Sequence, residues 1–361
     1  MADKTIVIKI GTKVIASSDR SLDRLALKNI VDQIADALDK GIRVIVVTSG
    51  AIGAGMGLLG LKKRPVKLEE LQATASIGQS HLMQLYSGYF KDRGYHVGQI
   101  LLTQEDFNDR KRYLNIKYTI QALLGHKAVP IINENDTIST EEIKCGDNDR
   151  LSSLVSDLCR ADTLILLSDV DGLLDERCNV IPEVDQLDAR ISRLTRSSKC
   201  ELGTGGMASK LDAIGKAAAS GVECVIANGK AGNVITDIIA GKPVGTRFNA
   251  ARSRLLAKKR WIAFSSRAKG AIVVDSGAKE ALVNKNKSLL SSGIVEVTGS
   301  FTAGDMIKIT DKASKEFARG LANYSSSELI KIKGLKTGQI KAALGHKGAD
   351  EVIHKDNLVI L

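Results

Sequence analysis

Aromatic residues are scarce in this 361-residue chain, at 4% with a single Trp, so Ala, Val, Ile and Leu must build the core. The 33 glycines add many tight turns, as α/β enzymes have. Cysteine is also sparse. Cys145, Cys159, Cys178, Cys200 and Cys224 are odd in number, form no C-x-x-C pair, and have no His at zinc-ligand spacing. They read as free thiols in a reducing compartment. No basic region, apolar stretch and cleavage site precede Lys4–Lys9, so nothing marks the chain for export and a cytoplasmic location is expected. The uncharged run Val44–Leu61 approaches membrane-spanning length, but it holds Thr48, Ser49 and five glycines. It reads instead as a buried strand, a Gly-rich loop and a helix start.

Three ligand motifs are missing or incomplete. The G-x-x-x-x-G-K-[ST] phosphate loop is absent, so any ATP site needs another architecture. Gly55-x-Gly57-x-x-Gly60 has the dinucleotide spacing, yet the preceding strand ends near Thr48, too early for that turn, and no acidic partner follows. Asp147-Asn148-Asp149 lacks the Gly and terminal Glu of a calcium loop. No protein-bound metal ligands are assigned.

What the chain has is an ordinary globular composition, 43% hydrophobic and 26% charged, with a formal charge of +11. Apart from Arg252, Arg254, Lys258, Lys259 and Arg260, the basic residues are dispersed. They read as a solvated surface that draws anionic substrates rather than as a nucleic-acid footprint. Short β-branched runs alternate with amphipathic stretches: strands at Thr5–Ile10, Arg43–Thr48, Val97–Thr103, Val129–Asn133, Thr163–Ser168 and Val222–Ala227, with helices between them. That alternation predicts an α/β fold, a mostly parallel sheet sandwiched by helices. Beyond Trp261 the segments become shorter and more strand-like, which predicts a catalytic domain over 1–260 and a small β-rich domain over 261–361.

Ligands of open parallel sheets bind beyond the carboxyl ends of the strands. Those ends carry Lys9-Ile10-Gly11-Thr12, Thr48-Ser49-Gly50-Ala51, Asn133-Glu134-Asn135-Asp136 and Ser168-Asp169. Two helix-opening loops join them, Gly146–Asp149 and Gly203–Met207, the latter followed by Lys210. Glycines and helix N-termini admit phosphates, and Lys9 and Lys210 can neutralise a transferring phosphoryl group with Asp149 holding both. A carboxylate acceptor is already ionised at neutral pH, so no general base is required.

These strings resemble a known family. Ile8–Thr12, VVTSGAIGAGM at 46–56 and INENDT at 132–137 are similar to the amino-acid kinase fold. With GDNDRLS at 146–152, SDVDGL at 168–173 and GTGGMASK at 203–210, the pattern looks like the glutamate 5-kinase family, which adds a C-terminal PUA domain. The junction Lys259-Arg260-Trp261-Ile262 matches as well. The resemblance implies phosphorylation of the γ-carboxylate of L-glutamate by ATP with Mg²⁺, the first step of proline synthesis. It implies Lys9, Lys210 and Asp149 in catalysis. Ser49, Gly50, Asp136 and Asn148 would hold glutamate, with Asn133 and Asp147 supporting that pocket. Lys9, Gly11, Ser168, Asp169 and the run Thr204, Gly205, Gly206, Met207, Ala208, Ser209 and Lys210 would hold ATP. Proline feedback inhibition and a dimeric or tetrameric homo-oligomer are further implications. Ser168 replaces a common Thr, and residues 175–179 lack a frequent Asp-Pro pair, which affects nucleotide-loop detail rather than the reaction.

The nearest rival is a kinase of N-acetylglutamate, aspartate or a nucleoside monophosphate, which the acceptor pocket and the tail disfavour. A rival of another class is an RNA-binding protein. Against it, the domain after Lys269 offers only Phe301, Phe317 and Tyr324 for stacking.

Overall fold

A computed structural model describes residues 4–17, 22–138, 148–185, 187, 191, 194, 204–250, 268–346 and 348–361. The chain divides into two compact units, Met1–Arg254 and Leu255–Leu361. The sequence-based boundary at 260/261 lies outside the described residues.

In the first unit β1 (Thr5–Ile10) is followed by α1 (Arg24–Asp39) and β2 (Arg43–Thr48). Then come α2 (Ala51–Leu58), α3 (Leu68–Asp92), β3 (Val97–Leu102), α4 (Arg110–Gly125) and β4 (Val129–Glu134). After α5 (Asn148–Cys159) and β5 (Thr163–Ser168) come β6 (Glu183–Val184), α6 (Thr204–Ala219), β7 (Glu223–Asn228), α7 (Val234–Ile239) and β8 (Thr246–Phe248). The sheet runs in the order β3-β4-β2-β1-β5-β7-β8-β6. Strands β1 to β5 and β7 pair in parallel, and β8 joins β7 antiparallel, so the sheet is mixed at that edge.

β1 lies between β2 and β5 and all six of its residues are buried. A strand covered on both faces needs a continuous apolar run, which Thr5–Ile10 supplies except at Thr5 and Lys9. The helices have ordinary start signals. Asp23 accepts from Ala26 N at 2.9 Å to open α1, and Asp109 accepts from Arg112 N at 2.8 Å to open α4.

The Gly-rich stretch after β2 differs from expectation, because Ala51–Leu58 is helical from the first residue. Gly50 sits at φ 100° and turns the chain into that helix. Low helix propensity is overridden by a backbone-to-backbone contact with α3. A Cβ on Gly78 would stand 1.8 Å from Ala51 O, and one on Gly55 would stand 1.9 Å from Thr74 O. Only glycine lets the two helices approach so closely. Among the described residues no helix is long and apolar enough to cross a membrane.

The second unit has a five-stranded sheet in the order β10-β9-β11-β12-β13, built from β9 (Gly270–Val274), β10 (Ile294–Gly299), β11 (Met306–Thr310), β12 (Glu316–Leu321) and β13 (Leu358–Ile360). Its helices are α8 (Ser276–Lys285), α9 (Ser326–Ile332) and α10 (Ile340–Leu344). Its own core includes Ile272, Leu282, Ile307, Ile309, Leu329 and Ile353. One thiol expectation fails: Cys159 and Cys224 are free, but Cys178 is disulfide-bonded.

Candidate functional site

The carboxyl ends of β1, β2, β4, β5 and the N-terminus of α5 meet at one edge of the first sheet. The register Ile10↔Thr48 and Ile10↔Leu167 brings the ends of β2, β1 and β5 level. Gly11 N donates to Leu167 O at 3.0 Å and ties β1 to β5 just beyond the strands.

A cavity of about 320 Å³ opens there, lined by Lys9, Gly11, Asp149 and Lys210 among others. Ser168, Asp169, Gly206, Met207 and Ser209 also face it. The predicted lysines converge on one carboxylate. Lys9 Nζ is 2.6 Å from Asp149 Oδ1, and Lys210 Nζ is 3.2 Å from Asp149 Oδ2. Lys210 comes from the first turns of α6, where its ammonium also reaches Gly206 O at 3.4 Å. Burial pushes the Lys9 ammonium below its ordinary 10.5. Asp149 pulls it back up, and the like charge of Lys210 pushes it down again. A buried cation with a single shared counter-charge gains from an arriving polyanion.

Two cavity residues, Lys13 and Val14, lie outside the motifs read from the sequence, and Thr12 and Val170 lie within those motifs without an assigned role. Lys13 Nζ meets Asp169 Oδ2 at 2.8 Å, and Ser168 Oγ donates to Asp169 Oδ1 at 3.2 Å. Burial raises the Asp169 carboxyl, but hydrogen bonds from Lys13 and the backbone outweigh that and hold it below the ordinary range. Lys13 gave no sequence signal, because a lysine in a loop after a strand is normally just solvated.

The second cluster is a chain of buried amides. Asn148 Nδ2 shares its two hydrogens among three acceptors, Thr48 O at 2.8 Å, Ser49 Oγ at 2.8 Å and Asn133 Oδ1 at 3.0 Å. Asn133 Nδ2 donates to Gln79 Oε1 at 2.7 Å. Thr48 Oγ1 and the Tyr86 hydroxyl lie 2.8 Å apart below it, and burial pushes the Tyr86 phenol well above its ordinary range. Thus Ser49, Asn133 and Asn148 come together, with Gln79, Thr48 and Tyr86 added. Asn148 and Asp149 are consecutive in the first turn of α5, so one helix start serves both clusters.

Gly50 supplies the left-handed turn beside Ser49. Asp136 lies in the turn after β4 and has no hydrogen bond to that cluster among the described residues. Its carboxyl is pushed up to about 6 by burial, partly offset by the Arg64 charge. Asp147 lies outside the described residues. Thr204, Gly205 and Ala208 belong to the start of α6.

The cavity suits nucleoside triphosphate. Gly11 leaves room at the lysines, where a Cβ would meet Leu167 O at 3.0 Å and Lys9 Nζ at 3.7 Å. A Cβ on Gly206 would lie 3.4 Å from Lys210 Nζ. Both oxygens of Asp149 face lysines, so Mg²⁺ would be held chiefly by the phosphates, reaching Asp149 or Asp169 through water.

Residues 4–228 match the model of the amino acid kinase family, and residues 270–344 match that of the PUA domain. A glutamate 5-kinase of Caldanaerobacter subterraneus subsp. tengcongensis is 46% identical over 99% of this chain and 97% of its own length. One from Thermoanaerobacter pseudethanolicus is 45% identical over 99% and 97%, and one from Moorella thermoacetica 42% over 99% and 96%.

Proposed function

The chain belongs to the amino acid kinase family, and from that premise we propose that it transfers the γ-phosphoryl group of ATP to the side-chain carboxylate of L-glutamate, the first step of proline synthesis. The observation that carries this reading is the convergence of Lys9 and Lys210 on Asp149 beside the Ser49–Asn133–Asn148 cluster. Full-length similarity to glutamate 5-kinases supports the choice of acceptor.

The chemistry follows from charge. A glutamate carboxylate oxygen attacks the γ-phosphorus in line; the new P–O bond forms as the bond to the β,γ-bridging oxygen breaks, and that electron pair leaves on ADP. The nucleophile is already an anion, so no proton has to move. Lys9 and Lys210 neutralise charge on the transferring group and the leaving oxygen. Asp149 keeps two like charges together in the free enzyme, at a site where burial alone disfavours a charged Lys9. Bound Mg²⁺ would supply further charge neutralisation and orient the phosphates.

On the acceptor side, Ser49 and Asn148 engage the amino-acid end of glutamate and Asp136 attracts its ammonium. Asp136 gives a pH test. Its carboxyl titrates near 6, so it is ionised at neutral pH and protonated below. The KM for glutamate is therefore expected to rise as pH falls through about 6 while kcat is held. Asp136→Asn should raise KM about tenfold or more and abolish that acid limb. An effect confined to ATP would remove Asp136 from the acceptor pocket. Stability has the opposite sense: the raised carboxyl contributes most below the ordinary 3.8, and this is lost as pH rises through about 6.

We carry proline inhibition, a dimeric or tetrameric assembly and a cytoplasmic location as parts of the same proposal. RNA binding by the second unit is the weaker reading, because Phe301, Phe317 and Tyr324 are all buried and none is presented for base stacking. The deciding experiment is ATP consumption with glutamate, N-acetylglutamate, aspartate and UMP in turn, with hydroxylamine present to trap an acyl phosphate. Hydroxamate formation with glutamate alone is expected. Turnover of another acceptor with none for glutamate would overturn the reading.

A further inference from the structure

We propose that Gln79 is a positioning residue of the acceptor pocket, and that it makes the pocket select an acceptor bearing a free ammonium group. This rests on the glutamate reading of the same site. Two backbone groups fix the polarity of the amide chain. The Glu134 N–H can only donate, so the Asn133 atom 2.9 Å from it is Oδ1. The Thr48 carbonyl can only accept, so the Asn148 atom 2.8 Å from it is the NH₂. Asn133 must then turn its own NH₂ toward α3, where Gln79 Oε1 takes it at 2.7 Å.

That polarity leaves two groups open at the pocket end. Asn148 Oδ1 is a buried acceptor with no hydrogen-bond partner among the described residues. Ser49 Oγ already accepts from Asn148, so its hydrogen remains to be donated. A buried acceptor beside a free hydroxyl donor matches the ammonium and α-carboxylate of an amino acid.

Gln79 is 9% exposed, and its own Nε2 is also buried without a partner among the described residues. Its oxygen is the part in use. Its placement is rigid, since the adjacent Gly78 holds α3 against Ala51 with no space for a Cβ.

Without the Gln79 oxygen, the Asn133 NH₂ is buried with no acceptor and must turn to find one. Asn148 then loses a partner, and its Oδ1 is no longer held firmly where the substrate ammonium arrives. Discrimination against an acceptor lacking the ammonium should fall, with Asp136 keeping part of it.

The test compares glutamate with glutarate, which lacks only the amino group, in the full chain with ATP and Mg²⁺. Wild type should turn over glutamate with a much higher kcat/KM than glutarate. In Gln79→Met the glutamate KM should rise about tenfold or more, with the KM for ATP unchanged and kcat within about twofold. The glutamate-to-glutarate ratio of kcat/KM should fall at least about tenfold, since glutarate has no ammonium to donate to Asn148 Oδ1. Gln79→Glu retains an acceptor for Asn133 and should keep the ratio within about threefold of wild type. An unchanged ratio in Gln79→Met, or equal losses for both acceptors, would overturn the proposal. Should Gln79→Met fail to fold, Gln79→Glu decides: a retained ratio supports the proposal and a collapsed one overturns it. A wild-type enzyme inactive on glutamate would instead refute the underlying reading, and shows in the first measurement.

Discussion

Lys210→Ala is expected to lower kcat at least about 10²-fold while the chain stays folded, because the lost charge acts on the transferring phosphoryl group. Lys9→Ala should do the same. The two differ in what they leave behind. Lys210 is at the cavity wall, and its removal leaves Asp149 still paired with Lys9 at 2.6 Å. Lys9 is inside the central strand, so its removal leaves a cavity as well as a weaker counter-charge. Lys9→Ala should therefore lose some stability, whereas Lys210→Ala should not. Steady-state kcat and urea unfolding on each variant check this, and near-normal turnover by either would remove that lysine from the mechanism.

Asp149→Asn should produce a large effect of a different kind. With the shared carboxylate gone, two buried ammonium groups face each other and the apo-enzyme should lose on the order of 3 kcal/mol. Part of that strain is relieved if Lys9, already below its ordinary 10.5 through burial, gives up its proton. A neutral Lys9 cannot neutralise phosphate charge, so kcat should also fall at least about 10²-fold. ATP provides the missing anion, so nucleotide should stabilise the variant more than it stabilises wild type. Thermal unfolding with and without ATP and Mg²⁺ measures both parts. Equal nucleotide stabilisation of the two proteins would mean that Asp149 does not organise the lysines.

The parallel strands were legible because six-residue β-branched runs bounded by turn residues have few other readings. Lys9 was legible for the same reason, as a charge inside such a run is costly without an anion. Asp149 and Lys210 followed from their places at helix starts near those strand ends. Elements whose formation depends on tertiary contact were not legible. Helix α2 is one, since Gly53, Gly55 and Gly57 argue against a helix until α3 is packed on it. The two- and three-residue strands β6 and β8 are too short to show any period. Helix α8 left a signal that went unused: Asp275 accepts from Ala278 N at 2.7 Å and Asn286 closes it at φ 48°.

Gln79 is the instructive omission. The buried stripe of α3 runs through Leu71, Ala75, Leu82, Tyr86 and Phe90, and Gln79 falls on it. A polar residue on an apolar stripe has to find a partner, which makes it a site candidate from the sequence alone. What the sequence could not supply was that partner, because Asn133 reaches Gln79 from β4, 54 residues away along the chain.

A crystal structure with a non-hydrolysable ATP analogue, Mg²⁺ and glutamate tests the central claim most directly. The expected result has both ammonium groups, from Lys9 and Lys210, within hydrogen-bonding distance of the terminal phosphates, with the glutamate side-chain carboxylate facing the γ-phosphorus. A nucleotide bound elsewhere, or one that meets only one of these lysines, would contradict the account.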